Sequence, residues 1–333
     1  MLIVASDQAR FVYGSENAFV SDAMAMIADL NLRLSASAVD LRARLADADW
    51  DLIDGYAEIG GSALGNDLRE LTYPANTNLV DAMGNIVYTT TDTASDAVLT
   101  QRDLYRPDLI HLITATGTGV GCVPADTTDL TPGAGFAVSS IGLAVPNGTF
   151  AHEVGHNLGA CHNANSSAPS CAGMLTGTER GIEGFCDVPD LVISDDREVR
   201  TTMAYQVNEN FPSLRLQRFS FLGLTYFFNN GLGSCAVPLF APDALVNLTF
   251  DLTRDFTSQY EVASSQMWVR LGSIGFEGTR FAPFGSIQAA VNAVQGDVGE
   301  ATVQVEPGSY NVGSLVIDKP VTIRAFGGPV VLQ

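Results

Sequence analysis

Residues 152–162 read His-Glu-Val-Gly-His-Asn-Leu-Gly-Ala-Cys-His and hold three of the chain's four histidines. His152 and His156 are four apart, so on a helix both imidazoles lie on one face, a turn apart. Both can then reach one zinc ion at ~2.0–2.1 Å. Glu153 lies beside them, angled off that face, placed to hold a water rather than the metal. Gly159 lets the chain leave the helix through a left-handed conformation, and the sharp turn brings His162 back to the same ion. Three protein ligands leave a fourth position open, as in catalytic rather than structural zinc sites. A core helix with chance histidines accounts for the first two but not for the added glycine and third histidine.

The flanks fit a helix. Asn147-Gly148-Thr149 offers N-cap candidates, and Phe150, Val154 and Leu158 recur at a spacing that turns one face inward. Downstream stands Thr201-Thr202-Met203-Ala204-Tyr205.

The motif followed by this methionine segment resembles the metzincin metalloproteases. The nearest likeness is to reprolysin-like bacterial enzymes, including the peptidyl-Asp metalloendopeptidases, over about residues 1–235. It rests on the strand-like Met1–Ser6, the Thr149-Phe150-Ala151 lead and the Arg200–Tyr205 segment. The resemblance implies a twisted mixed sheet carrying a zinc-binding helix, with Met203 bracing the histidines from below. It makes Tyr205 a candidate electrophilic helper at the metal; a buried aromatic with a satisfied hydroxyl is the other reading. It implies a zinc endopeptidase: metal on His152, His156 and His162, Glu153 as general base, and protein or peptide substrates. An acidic substrate side chain would need a cationic pocket, for which Arg200, Arg215 and Arg218 are the candidates beside ordinary surface ion pairs. The rival from another class is an extracellular carbohydrate-binding surface protein carrying a vestigial protease, against which the intact Glu153 speaks.

Net charge is −20, with one lysine, Lys319, among 17 basic residues. That acidity argues against nucleic acid or anionic membranes as partners, and no apolar run is long enough to span a bilayer. The resemblance implies secretion behind a signal peptide and pro-segment; Met1–Ala5 is too short for a leader and reads as a strand, so an N-terminally incomplete chain is expected. Five cysteines (Cys122, Cys161, Cys171, Cys186, Cys235) suit disulfides. The resemblance implies Cys122–Cys235, with two of the other three paired. Cys161, next to His162, reads as a disulfide partner or buried thiol rather than a ligand.

Along the chain, Ser15 caps a helix over 15–34 (Phe19, Met26, Ile27, Leu30, Leu34). Residues 49–100 are hard to place, and 98–105 reads as a helix. Leu109–Thr114 is an apolar strand whose His111 reads as a packed or surface residue. Residues 117–135 read as loop and 136–145 as a strand. Family likeness nominates Gly135–Ser139 as the substrate-aligning edge, an interior strand being the alternative. Asp187, Asp190, Asp195 and Asp196 form either a solvated acidic loop or a calcium site. The stretch after Met203 is expected to wall a substrate pocket.

The fold class expected is α+β in three parts: 1–237 the metalloprotease domain, 238–283 a β-rich connector with strands at 245–252 and 266–271, and 284–333 a partial module. In the last, a helix at 286–294 precedes apolar runs at 303–305, 315–317 and 321–323, which resembles the opening of a pectate-lyase-like parallel β-helix. One or two rungs fit before Gln333, so the chain is expected to stop mid-domain. Such a surface would contact glycans or cell surfaces.

Overall fold

The computed structural model describes residues 1–59, 64–80, 83–93, 96–98, 100, 107–122, 135–163, 180–181, 183–186, 197–204, 213–221, 225–229, 234–238, 246–247, 249–250, 266–273, 283–294 and 301–333. The first half runs β1 (Leu2–Ala5), α1 (Asp7–Tyr13), α2 (Glu16–Ala36), β2 (Asp47–Asp49), α3 (Leu64–Thr72), a hairpin of β3 (Asn78–Val80) and β4 (Ile86–Thr89), β5 (Ile110–Thr114), β6 (Gly119–Gly121), β7 (Phe136–Ser140), α4 (Ile141–Ala144) and α5 (Thr149–Asn157). Then come β8 (Glu183–Cys186), β9 (Arg197–Arg200), β10 (Ser213–Arg215), β11 (Thr225–Asn229), β12 (Ser234–Pro238) and β13 (Gln266–Val269). α6 (Ile287–Ala293), β14 (Ala301–Val305), β15 (Gly308–Tyr310), β16 (Val321–Ala325) and β17 (Val330–Leu332) complete the order. The architecture is mixed α+β.

The main sheet has the order β2-β1-β5-β7-β6. All its pairs are parallel except β6, which runs antiparallel to β7. β1, β5 and β7 are buried from end to end, which is why β1 is wholly apolar and the other two mostly so, without the alternation of a half-exposed strand. Alternate residues feed two cores. Ile3, Ala5 and Ile113 meet α2 and α5, packing with Phe19, Met26, Leu30, Phe150 and Val154. Leu2, Val4, Leu112, Phe136 and Val138 meet α3 through Leu64 and Leu71 on the other face. Each of the larger of these side chains (Val, Leu, Ile, Phe, Met), taken fully out of water, stabilises by ~1.5–3 kcal/mol. α2 starts as its sequence indicates, with Ser15 Oγ accepting from the Ala18 N–H.

Several expectations need correction. The 117–135 stretch is not all loop, because Gly119–Gly121 is a strand; it is short and glycine-rich, so no apolar alternation announces it. β7 is therefore interior, and β6, not Gly135–Ser139, is the sheet edge beside it. The 136–145 strand divides into β7 and α4. Residues 246–247 and 249–250 are helical rather than extended. Val246 and Phe250 point into the first core, and the Phe250 ring meets Phe219 edge-on at 4.8 Å. Residues 96–98 and 100 are helical, and the other positions of the expected 98–105 helix lie outside the described residues.

The C-terminal stretch has its own apolar core of Val269, Ile287, Val291, Val303, Val305 and Tyr310. β13, β14 and β16 form one parallel ladder, and β15 and β17 another. Ser286 caps α6 by accepting from Ala289. The expected 315–317 strand is absent: the Gln288 amide takes both main-chain groups of Val316 (2.8 and 3.0 Å), so that backbone joins no ladder.

Candidate metal centre

α5 is short and every one of its residues is buried. Its N-terminus is not capped by a side chain. Gly148 precedes it at φ +65°, and a Cβ there would meet the Arg33 guanidinium at 2.5–2.9 Å. Of the three N-cap candidates, Gly148 is the one used, and the filled volume beside it leaves room for no larger residue. At the other end Gly159 takes φ +90°, with its N–H donating to the His156 carbonyl and the Ala160 N–H to the Gly155 carbonyl, both at 2.8 Å. This left-handed exit turns His162 back on the helix, as the spacing requires.

The ligand-capable nitrogens of His152, His156 and His162 lie within 4.8 Å of one another. His162 Nε2 stands 3.1 Å from His152 Nε2 and 2.9 Å from His156 Nε2. A tetrahedron with ~2.0–2.1 Å zinc–nitrogen bonds has edges of roughly 3.3 Å, so the spacing fits one ion. The far nitrogens reinforce this. His152 Nδ1 donates to the Thr202 carbonyl at 2.8 Å and His156 Nδ1 to the Ala160 carbonyl at 2.7 Å. Those bonds fix the tautomer, leaving both Nε2 lone pairs aimed inward. Burial holds the His152 imidazole well below its ordinary pKa, and takes that of His156 down to about 4. Both rings are therefore neutral at pH 7, the state a metal requires.

Glu153 is buried beside the cluster. Desolvation raises its carboxyl to about 8, opposed by the positive charge of Arg215. Its Oε1 lies against Gly119 of β6, where any Cβ would collide with it. A Cβ on Gly121 would likewise meet the Glu153 carbonyl at 2.6 Å and the His156 Cβ at 3.2 Å. The two glycines thus let the sheet edge lie directly on the histidine helix. Asn157 closes that end: its Nδ2 donates to the Cys122 and Phe136 carbonyls, at 2.9 and 3.0 Å.

Met203 is wholly buried and its Sδ packs on Gly155, between the two helical histidines. A Cβ at Gly155 would also meet Phe219 at 3.1 Å. Of the three arginines singled out above, Arg215 is the one whose charge acts on both Glu153 and His152; it also donates to the Asn147 carbonyl at 3.0 Å. Arg200 donates to the Ala204 carbonyl. Tyr205 and Asp187–Asp196 lie outside the described residues.

His111 is not part of the cluster. It is packed in β5, its Nε2 2.8 Å from Ser139 Oγ. Cys122 is a free thiol, which overturns the Cys122–Cys235 pairing. Its side chain packs with the second core, and burial pushes its pKa up to about 12, so it serves as a small apolar group. Cys161 is disulfide-bonded.

Sequence reasoning missed Thr202, Ala160, Gly155 and Arg33. Backbone carbonyls carry no sequence signature. Arg33 did leave a signal: it is a charged residue at core spacing, between Leu30 and Leu34.

A helix-borne pair of imidazoles and a third returned by a glycine turn, with a carboxylate adjoining, form a three-histidine cluster that could hold a metal ion. The sequence model of metallopeptidase family M12B, reprolysin-like, matches residues 68–163 of this chain, which take in β5, β6, β7 and the whole histidine motif. No curated protein matches. One solved chain, from a structure of a chaperone–substrate complex, is similar at 16% identity and a TM-score of 0.46, covering 79% of this chain. The match spans only 38% of that chain. No helix among the described residues is long and apolar enough to cross a membrane.

Proposed function

We propose that the chain is a zinc-dependent endopeptidase. The observation that carries this is the convergence of three imidazoles, two of them with their far nitrogens bonded to carbonyls, beside the buried carboxyl group of Glu153. Zinc bound there would supply Lewis acidity, bringing the pKa of water towards ~7. With the cation and Arg215 offsetting the burial that raises its pKa, Glu153 would be ionised and would take the proton from the attacking water and return it to the leaving amine. Met203 supports the histidines from below, and Tyr205 is proposed as the donor to the developing oxyanion. β6, the outermost strand of the main sheet among the described residues, would align an extended substrate by main-chain pairing.

Disulfide bonding at Cys161 and the protease resemblance support an extracellular setting. The packing of Val246 and Phe250 supports a protease unit that continues past 237 to about Phe250, while β13 belongs with the C-terminal ladders. Those stacked parallel ladders support the opening of a parallel β-helix over 266–333.

The test is cleavage of an unbiased peptide library by zinc-loaded wild type and by Glu153→Ala. Wild type should cleave, chelation should stop it, and the variant should fall by about 10²–10⁴-fold while retaining zinc. Comparable cleavage by the variant would overturn the role of Glu153. No cleavage by zinc-loaded wild type would overturn the endopeptidase reading.

A further inference from the structure

Arg33 is a buried guanidinium on the apolar face of α2, far in sequence from every residue of the metal centre. Its Nε donates to Asp29 Oδ2 at 2.7 Å, one helical turn back, and both side chains are almost wholly out of water. Its Nη1 reaches Thr202 Oγ1 at 3.1 Å and the Leu216 carbonyl at 3.3 Å. The flat of the guanidinium lies on Gly148, where α5 begins. Four segments therefore meet at this one group: α2, the entry to the histidine helix, the turn before Met203 and the stretch that runs from β10 to Phe219.

Thr202 is the pivot. Its hydroxyl accepts from Arg33 and donates to the Arg218 carbonyl at 2.8 Å. Its N–H donates to the same carbonyl at 2.7 Å, and its own carbonyl holds the Nδ1–H of His152 at 2.8 Å. Electrostatics does not explain the arrangement. A positive charge at a helix N-terminus opposes the helix dipole, and a buried ion pair is desolvated at a cost that packed apolar side chains avoid. What an arginine adds here is its planar fork, which fixes several acceptors at set angles at once.

We infer that Arg33, held by Asp29, is a positioning residue for the metal centre: it sets the Thr202 carbonyl that orients His152. The inference rests on the reading of the three histidines as a metal site. Groups that orient metal-binding imidazoles typically govern affinity by about 10–100-fold.

The test uses Arg33→Met/Asp29→Leu, which removes both charges together, Arg33→Lys, and Thr202→Val, which removes only the hydroxyl that Arg33 reaches. Two quantities are read in the full chain. One is zinc affinity by chelator competition. The other, in metal-free protein, is the protection of the His152 Nδ1–H by nitrogen-15 NMR. The expected result is a loss of about 10–100-fold in zinc affinity with loss of the protected proton in the double variant and in Thr202→Val, and partial rescue in Arg33→Lys. If Arg33→Met/Asp29→Leu fails to fold, Thr202→Val decides alone. Zinc affinity within twofold of wild type and an unchanged Nδ1–H in a folded variant would overturn the inference. Loss of the protected proton in a protein whose wild type takes up no zinc would support the positioning role and sink the metal-site reading instead.

Discussion

His111 makes the fold acid-sensitive in a way that can be measured apart from the metal site. In β5 it stands in register with Ile3 of β1 and Ala137 of β7. Its ring centroid lies 4.5 Å from that of Phe150, and it is fully buried. Burial is the sole cause that lowers its pKa, from 6.5 to about 3. The unfolded chain therefore binds this proton near pH 6.5 and the folded chain only near pH 3. Stability is intact above about 6.5, falls as pH drops through the window between the two values, and loses nothing further below it. At 1.36 kcal/mol per pKa unit, the loss is about 2 kcal/mol by pH 5 and approaches about 5 kcal/mol near pH 3. His111→Gln stays neutral throughout while keeping a polar partner for Ser139. Urea unfolding of metal-free wild type and variant at pH 7 and pH 5 isolates the effect as a double difference. The ligand histidines titrate in both proteins and cancel, as does any pH-independent cost of the substitution. A double difference below ~0.5 kcal/mol would refute the assignment of a buried, neutral His111.

Two glycines give further tests. Gly119→Ala puts a methyl carbon onto Glu153 Oε1, with Thr149 Cγ2 at 2.5 Å. Steady-state kinetics should show kcat down about 10²-fold while zinc titration stays at wild-type affinity; unchanged kcat would mean that Glu153 does not act from this position. Gly159→Ala must hold an L-residue at φ +90°, a strain of about 1–3 kcal/mol. Equilibrium unfolding should show that loss and chelator competition a weakened site, since the same turn delivers His162; wild-type zinc affinity would show that the third ligand arrives by another path.

The parts legible in the sequence were those written in side-chain spacing. The three histidines, Glu153 and Gly159 announced their geometry because a helix and a left-handed turn leave few ways to arrange them. The apolar face of α2 and the run of β5 were equally plain, and Ser15 and Ser286 marked their helices because a hydroxyl cap is a local device. What escaped depends on tertiary contact. β6 has no apolar alternation, since its glycines exist to clear Glu153 and His156. Which of the three cap candidates is used depends on Arg33, which fills the space a side chain at Gly148 would need. Phe250 belongs to a helical stretch whose apolar spacing equally suited a strand until its packing against Phe219 was known. The bond from Thr202 to His152 runs through a carbonyl that every residue possesses.

The histidine helix shows why such a centre cannot be local. It has nine residues, including a glycine and β-branched Thr149 and Val154, and a helix that short is marginal in water on its own. Every face is occupied by something different. Phe150 and Val154 face the core, Glu153 the edge of β6, Gly155 the sulfur of Met203, and the histidines one another. Because no face is free, the positions of the imidazoles are set by the sheet, the turn at Met203 and α2 together. Ligand geometry at this centre is therefore a property of the packed domain. Substitutions as distant in sequence as Arg33 and Gly119 should act on different terms of it, the first on how metal is held and the second on what the carboxylate beside it can do.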